Sequence, residues 1–115
     1  MKKIINSFKY AFNGIFTSFK TEKNMKIHLI IAILVVVLGF VLKISKIEWI
    51  ICTVVISIVI SAELFNTAIE TVVDMITIEK NEKAKIAKDV SAGAVLITAI
   101  GAAIIGLIIF IPKIY

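Results

Sequence analysis

Three long apolar stretches dominate the pattern of hydrophobic and polar positions along the chain. The first is the run of fourteen apolar residues 29–42, which flanking polar side chains extend to a predicted membrane-spanning helix over 28–44. A second span is predicted over 47–78, with its last part continuing beyond the membrane. The third covers 90–111, twenty-two residues without a charge, and is predicted to end at Pro112. The sequence therefore predicts an all-α membrane protein with three transmembrane helices.

Residues 1–20 have a different pattern, in which polar and apolar side chains recur with the period of an α-helix. One face would present Asn6, Lys9, Asn13, Thr17 and Lys20. The opposite face would present Ile4, Ile5, Phe8, Phe12, Ile15, Phe16 and Phe19. This pattern is typical of a basic amphipathic helix that lies in the membrane interface. We expect no signal peptide, because the first long apolar run begins only near Leu29.

Lysine supplies all the positive side-chain charge. The 115 residues contain 13 lysines and no arginine against 8 acidic residues, a formal net charge of +5. The lysines flank the apolar runs instead of forming one patch, which favours an interaction with membrane over nucleic-acid binding. Ten of them lie before the first span or within the charged connector 79–89, and three lie elsewhere. The N-terminus and this connector are therefore predicted to be cytoplasmic and the C-terminus outside, with 1–115 forming one membrane domain.

Several residues at the edges of the spans have a purely structural interpretation. Cys52, the single cysteine, is expected to pack as a small hydrophobe. Glu22 with Lys26, and Asn24 with His28, have the spacing of helical side-chain pairs. The connector contains neither glycine nor proline, so short helical turns and a loop are equally compatible with it. Close helix packing is predicted at the small residues Gly93, Ala94, Gly101, Ala102 and Gly106.

One stretch of the second span combines a hydrophobic helix with three carboxylates. At 100° per residue about the helix axis, four polar side chains lie close to the direction of Glu63. Relative to Glu63 they are at about −60° (Asn66), +40° (Thr67), −20° (Glu70) and +20° (Asp74). These five residues form what we call the polar stripe. A carboxylate facing lipid at mid-membrane would cost roughly 2.5–3.5 kcal/mol, so the stripe must face protein, water or a metal ion. Helix rise places Glu63 inside the hydrocarbon edge and Asp74 near the headgroups.

Two main classes of function fit such a stripe at one membrane face. Two carboxylates with room for water suit Mg²⁺, which is usually held by one or two carboxylates and substrate phosphates, and a buried carboxylate suits a general base. With a lysine to hold phosphate as a point charge, the set fits phosphoryl transfer to a lipid hydroxyl. The same residues suit a cation or proton pathway in an oligomer, or a polar seam in an assembly protein. The sequence contains no Gly-x-x-x-x-Gly-Lys-Ser/Thr loop and no protein-kinase signature.

The segment 63–74, Glu-Leu-Phe-Asn-Thr-Ala-Ile-Glu-Thr-Val-Val-Asp, resembles the signature of the bacterial diacylglycerol kinase family, which includes an undecaprenol kinase branch. The resemblance covers nearly the whole chain, through residues 7–15, Glu22, Asn24, His28 and 87–89. It implies a small lipid kinase of the bacterial cell membrane that uses MgATP to phosphorylate a lipid alcohol. It also implies a homotrimeric helical bundle with its active sites between protomers.

The resemblance further implies roles for individual residues. Glu63 takes the place of the general base, and Glu22 and Glu70 take the place of the Mg²⁺ ligands. The residues that correspond to the ATP site are Lys3, Tyr10, Glu22, Asn66, Glu70, Asp74, Glu79, Lys80, Asn81, Lys88 and Asp89. Lys3 stands where some members have an arginine, and a lysine keeps the charge but cannot form a bidentate fork.

Two lipid substrates are compatible with the resemblance. Residues 22–28 and 90–95 are more similar to the undecaprenol kinase branch, which favours undecaprenol over diacylglycerol. The frequent use of isoleucine and lysine without arginine also fits a low-GC bacterium.

Overall fold

The computed structural model describes residues 1–115 and consists of four α-helices without any strand. The helices are α1 (Lys2–Thr21), α2 (Lys23–Val41), α3 (Lys46–Ile76) and α4 (Glu82–Ile114). By length and composition, α2, α3 and α4 are each able to cross a membrane. The prediction of an all-α membrane protein with one amphipathic N-terminal helix and three membrane-spanning helices is confirmed. The predicted spans 28–44 and 47–78 run three and two residues past the ends of α2 and α3, and 90–111 lies within α4.

Helix α1 leaves its apolar face open and docks on the other helices only through its C-terminal end. Each of three phenylalanines on the open face is more than 60% exposed: Phe8, Phe12 and Phe16. At the docked end, Ser18 and the first-turn residue Met25 of α2 are buried. Between them Glu22 is the single non-helical residue, with φ −103° and ψ 117°, so the chain bends sharply there. The open face is suited to lie in a membrane interface.

The turn between α2 and α3 is held by a reciprocal pair of hydrogen bonds. The Ser45 hydroxyl accepts from the Glu48 backbone N–H at 3.2 Å, and the Glu48 carboxylate accepts from the Ser45 backbone N–H at 2.9 Å. This capping box fixes the start of α3. Lys113, near the end of α4, lies 3.0 Å from the Glu48 carboxylate. The turn and the two helix ends therefore form one connected polar cluster.

Helices α2 and α3 approach each other closely at Gly39. The Trp49 indole lies against this glycine, and a Cβ added at position 39 would be only 2.6 Å from the indole ring. Trp49 also packs against Phe40, with ring centroids 4.9 Å apart and planes tilted by 52°. Position 39 therefore requires a residue without a side chain.

The buried apolar core lies at the same end of the molecule as this turn. It consists of Ile44, Cys52, Ile109 and Phe110, so it joins α3 to α4 next to the turn. Cys52 is a free cysteine and 6% exposed. The prediction that it packs as a small hydrophobe is confirmed.

One expectation for α4 is wrong. Pro112 does not end the helix, which continues to Ile114; the proline lies in the last turn and costs the helix only the one hydrogen bond that its missing N–H would have donated. Within the chain the glycines of α4 make no close helix contact, and the predicted close packing of its small residues stays a prediction for contacts with other copies. A Cβ added at any of its glycines would meet nothing within 4 Å, since part of this face borders a cavity instead.

An apolar cavity of about 440 Å³ lies between α2, α3 and α4. Its α4 wall includes the small residues Ala99, Ala102, Ala103 and Gly106. His28 supplies the only strongly polar side chain of the lining. The small residues of α4 thus leave space inside the chain.

The charged connector is largely helical. Helix α4 begins at Glu82, and the Asn81 side-chain oxygen caps it by accepting from the backbone N–H groups of Lys83 at 2.9 Å and Ala84 at 3.2 Å. Only residues 77–81 separate α3 from α4. With 31 residues, α3 is about 46 Å long and exceeds the roughly 30 Å of a bilayer hydrocarbon core. The short connection brings the start of α4 beside the end of α3.

Candidate active site

The polar stripe lies on one face of α3, and its burial decreases along the helix. Glu63 is 2% exposed and Asn66 is 6% exposed, whereas Glu70 is half-buried and Asp74 is exposed. The Asn66 side-chain N–H donates to a Glu70 carboxylate oxygen at 2.8 Å. These side chains therefore point the same way, as the helical spacing predicts.

Glu63 is a buried carboxylate whose side chain accepts no hydrogen bond within the chain. Its Oε2 makes no hydrogen bond, and its ion-pair contact is with His28, whose Nε2 lies 3.5 Å away. That distance permits an attraction when His28 is protonated, but it is longer than the roughly 2.7–3.2 Å of a well-formed N–H···O bond. A buried acceptor without a partner costs about 1–3 kcal/mol. Oε2 thus has no hydrogen-bond donor within the chain.

His28 faces α3 instead of pairing along its own helix. The helical pairs expected for Glu22 with Lys26 and for Asn24 with His28 are absent from the ion pairs and side-chain hydrogen bonds of the chain. The His28 side chain is 16% exposed. The spacing within α2 could not reveal its contact with Glu63, because that contact depends on how α2 packs against α3. A histidine at the edge of an apolar run is the one signal that the sequence offers.

Ser91 joins α4 to the polar stripe. Its hydroxyl donates to the Asn66 side-chain oxygen at 2.6 Å, and Ser91 is 6% exposed. No role could be predicted for this serine from the sequence, because it lies 25 residues from its partner and its contact depends on how α3 and α4 pack.

The start of α4 adds a cation at the exposed end of the stripe. The Lys88 Nζ lies 2.7 Å from the Asp74 carboxylate, and this hydrogen bond raises the pKa of Lys88 above its usual range. Lys88 therefore lies close to the stripe, as the predicted topology requires. Its neighbour Asp89 instead pairs with Lys85 along the same helix at 2.6 Å.

The other predicted site residues lie around this cluster without bonding to it. Glu22 is half-buried and takes part in none of the four ion pairs. The exposed members of the set are Lys3, Tyr10, Glu79, Lys80 and Asn81. No group of three or more His, Cys, Asp or Glu side chains is close enough to hold a metal ion. A metal at this site would rest on one or two carboxylates together with substrate phosphates, an arrangement that suits Mg²⁺.

A family model described as prokaryotic diacylglycerol kinase matches residues 9–110. The chain belongs to this family. The match includes the whole of α2 and α3, with the polar stripe and His28. It also includes the part of α4 that carries Lys88 and Ser91. The resemblance predicted from the segment 63–74 is confirmed.

Curated relatives within the family are kinases. Undecaprenol kinase from Bacillus subtilis (strain 168) is 43% identical over 113 residues, which cover 98% of this chain and 92% of the relative. Diacylglycerol kinase from Synechocystis sp. is 37% identical over 110 residues, 95% of this chain but only 63% of the relative. Diacylglycerol kinase from Haemophilus influenzae is 37% identical over 94 residues, 82% of this chain and 80% of the relative. The predicted enzyme class is confirmed, and the cation-pathway alternative is not favoured.

Proposed function

We propose that this family member transfers the γ-phosphoryl group of ATP to the hydroxyl of a membrane lipid alcohol, undecaprenol. The observation that carries the proposal is the unbonded Oε2 of Glu63, a carboxylate only 2% exposed. It lies at the buried end of a polar stripe whose other end is exposed. A lipid hydroxyl can approach the buried end while a water-soluble nucleotide approaches the exposed end.

Glu63 serves as the general base. The lipid hydroxyl donates its hydrogen bond to Oε2, and its proton passes to the carboxylate while the hydroxyl oxygen forms a bond to the γ-phosphorus and ADP leaves. His28, 3.5 Å from the same oxygen, limits the positions that the Glu63 side chain can take. Alignment of this kind supplies much of what phosphoryl transfer requires.

Glu22 and Glu70 are the proposed Mg²⁺ ligands. Glu70 is suited to the task because Asn66 binds only one of its carboxylate oxygens, which leaves the other available. Mg²⁺ held there with the nucleotide phosphates would neutralise phosphate charge.

The nucleotide occupies the exposed end of the stripe. Lys88 already neutralises Asp74 at 2.7 Å and can hold a phosphate as a point charge. Asn81 keeps its side-chain N–H₂ free, because only its oxygen caps α4. The remaining residues that we assign to the nucleotide site are Lys3, Tyr10, Glu22, Asn66, Glu70, Glu79, Lys80 and Asp89.

Undecaprenol is favoured over diacylglycerol by the comparisons and by local similarity. The relative named undecaprenol kinase is 43% identical and is matched over 92% of its length, whereas the two diacylglycerol kinases are 37% identical. Diacylglycerol is the alternative substrate that the experiment below separates.

We further propose a homotrimer in the bacterial cell membrane. Ten of the 13 lysines fall on the side of the N-terminus and the connector, which favours a cytoplasmic location for both and for the nucleotide site. The many exposed apolar side chains of the helices provide surface for lipid and for neighbouring copies.

The test is phosphate transfer from γ-labelled ATP, with Mg²⁺, to an equimolar mixture of undecaprenol and diacylglycerol in mixed micelles. We expect label on the polyprenol. Label mainly on diacylglycerol would overturn the assignment of undecaprenol as substrate but would support lipid kinase activity. Label on neither lipid, from a folded oligomer, would overturn the kinase proposal and return attention to a cation pathway.

A further inference from the structure

Three side chains from two helices form a directional chain of hydrogen bonds. The Ser91 hydroxyl donates to the Asn66 side-chain oxygen at 2.6 Å, and the Asn66 side-chain N–H donates to Glu70 Oε1 at 2.8 Å. Ser91 and Asn66 are each only 6% exposed. Water therefore has little access to replace either of the partners.

The direction of these bonds is fixed by chemistry. A carboxylate oxygen accepts hydrogen bonds, so the Asn66 amide must turn its N–H₂ group toward Glu70 and its oxygen toward Ser91. Only a donor can then satisfy that oxygen, and the Ser91 hydroxyl supplies its single proton. The Lys88 carbonyl, 3.0 Å from the same hydroxyl, competes for this proton at a longer distance.

We propose that Ser91 is a positioning residue for the metal site. By holding the Asn66 amide in one orientation, it keeps Glu70 Oε1 bonded and presents the second Glu70 oxygen to Mg²⁺ in a fixed direction. The inference rests on the proposed role of Glu70 as a Mg²⁺ ligand. It adds that α4 controls this ligand through Asn66, although Ser91 itself never touches the metal.

Removing the hydroxyl leaves a buried amide oxygen without a donor. The Asn66 amide can then rotate, and its N–H no longer donates to Glu70 from one fixed direction. Groups that orient a metal ligand in this way affect metal affinity by about 10- to 100-fold when they are removed. Because Ser91 acts on Glu70 through Asn66 and not directly, Ser91→Ala should weaken metal binding by up to about tenfold.

The experiment measures Mn²⁺ binding by electron paramagnetic resonance, with a non-hydrolysable ATP analogue and the purified full chain in detergent micelles. The variants are Ser91→Ala, Ser91→Cys, which keeps the volume but has only a weak donor, and Ser91→Thr, which restores the hydroxyl. Thr98→Ala is the matched control, because the Thr98 hydroxyl on the same helix donates only to the Val95 carbonyl. Glu70→Ala is measured in parallel.

We expect weaker Mn²⁺ binding and a higher Mg²⁺ requirement for transfer in the Ala and Cys variants. The Thr variant should recover most of the affinity, and Thr98→Ala should match the parent. Unchanged Mn²⁺ affinity in both Ser91→Ala and Ser91→Cys, with affinity lost in Glu70→Ala, would overturn the role of Ser91 alone. Unchanged affinity in Glu70→Ala would overturn this inference together with the proposed metal ligand.

Discussion

Glu63 and Glu70 lie about two turns apart on one face of α3, and their surroundings differ. Glu63 is buried with an oxygen that nothing binds, whereas Glu70 is half-buried and held by an amide. An unbonded buried oxygen suits an atom that must accept a proton, and a fixed, partly solvated carboxylate suits a metal ligand. The different environments therefore support the two different proposed roles.

Glu63→Gln tests the role of the base. The amide keeps the volume but cannot take up the hydroxyl proton, so turnover should fall by at least about 10²-fold, in line with the contribution of general-base catalysis. Binding of MgATP should stay close to that of the parent, since Glu63 is not a proposed metal ligand. Both quantities are measured by transfer kinetics and nucleotide titration, with Glu82→Gln on the exposed start of α4 as control. Loss of MgATP binding in Glu63→Gln would contradict this assignment.

Glu22→Ala and Glu70→Ala test the two metal ligands. Each removes one carboxylate, so the Mg²⁺ concentration for half-maximal transfer should rise by at least about tenfold. A Mg²⁺ titration at saturating ATP and lipid measures this change. Glu82→Ala serves as the control for loss of an acidic side chain. A titration curve that does not move would remove that residue from the metal site.

The sequence predicted the stripe but not the residues that hold it. Asn66 and Glu70 are four residues apart on one helix, so the period of that helix fixes their contact before any packing is known. His28 and Ser91 reach the stripe from α2 and α4, and their contacts depend on the rotation of those helices against α3. Apolar runs specify that helices pack, but not which side chain of each one meets a given partner.

At the scale of helices, capping hydrogen bonds determine where a helix begins more closely than the extent of its apolar run does. The apolar run alone placed the third span at 90–111, but Asn81 begins α4 earlier because it caps the first turn. The capping box of Ser45 and Glu48 fixes the start of α3 in a similar way. The contact at Gly39 was not predictable, because the glycine lies inside an apolar run and its partner belongs to another helix.

Gly39→Ala tests the approach of α2 to α3. The new Cβ would lie 2.6 Å from the Trp49 ring, so the free energy of unfolding should fall by about 1–3 kcal/mol. Gly14→Ala is the matched control, since a Cβ there meets nothing within 4 Å, and a helical Gly→Ala change gains roughly 0.5–1 kcal/mol. Unfolding of both variants is followed in detergent micelles. If the Gly39→Ala protein were as stable as the Gly14→Ala protein, the prediction would be contradicted. Helices α2 and α3 could then move apart without a loss in the free energy of unfolding.

For the whole molecule, side-chain contacts within one chain link several residues of the proposed site, and Glu22 is not among the linked residues. Hydrogen bonds and ion pairs link Asn66 to Glu70 and Ser91, and Asp74 to Lys88. Glu22 belongs to none of the ion pairs. The family resemblance implies active sites between protomers, so we propose that a second copy of the chain supplies Glu22 to each site.

Mixed oligomers test this arrangement. When Glu22→Ala and Glu63→Gln chains with different tags are mixed, some sites should combine an intact Glu22 from one chain with an intact Glu63 from the other. The mixture should therefore regain a part of the activity that each variant lacks alone. Co-purification of the two tags shows that mixed oligomers have formed. Co-purified chains that remain as inactive as the separate variants would place all catalytic groups of a site in one chain.

Helix α3 runs without a break from the buried carboxylate to the solvent. Glu63 and Asp74 are eleven residues apart with neither glycine nor proline between them, a fixed rise of roughly 16 Å. A bilayer of different thickness moves the headgroup plane, but it cannot move these two side chains relative to each other. We therefore expect the rate of phosphorylation to depend on bilayer thickness, because thickness changes the position of both side chains relative to the headgroup plane.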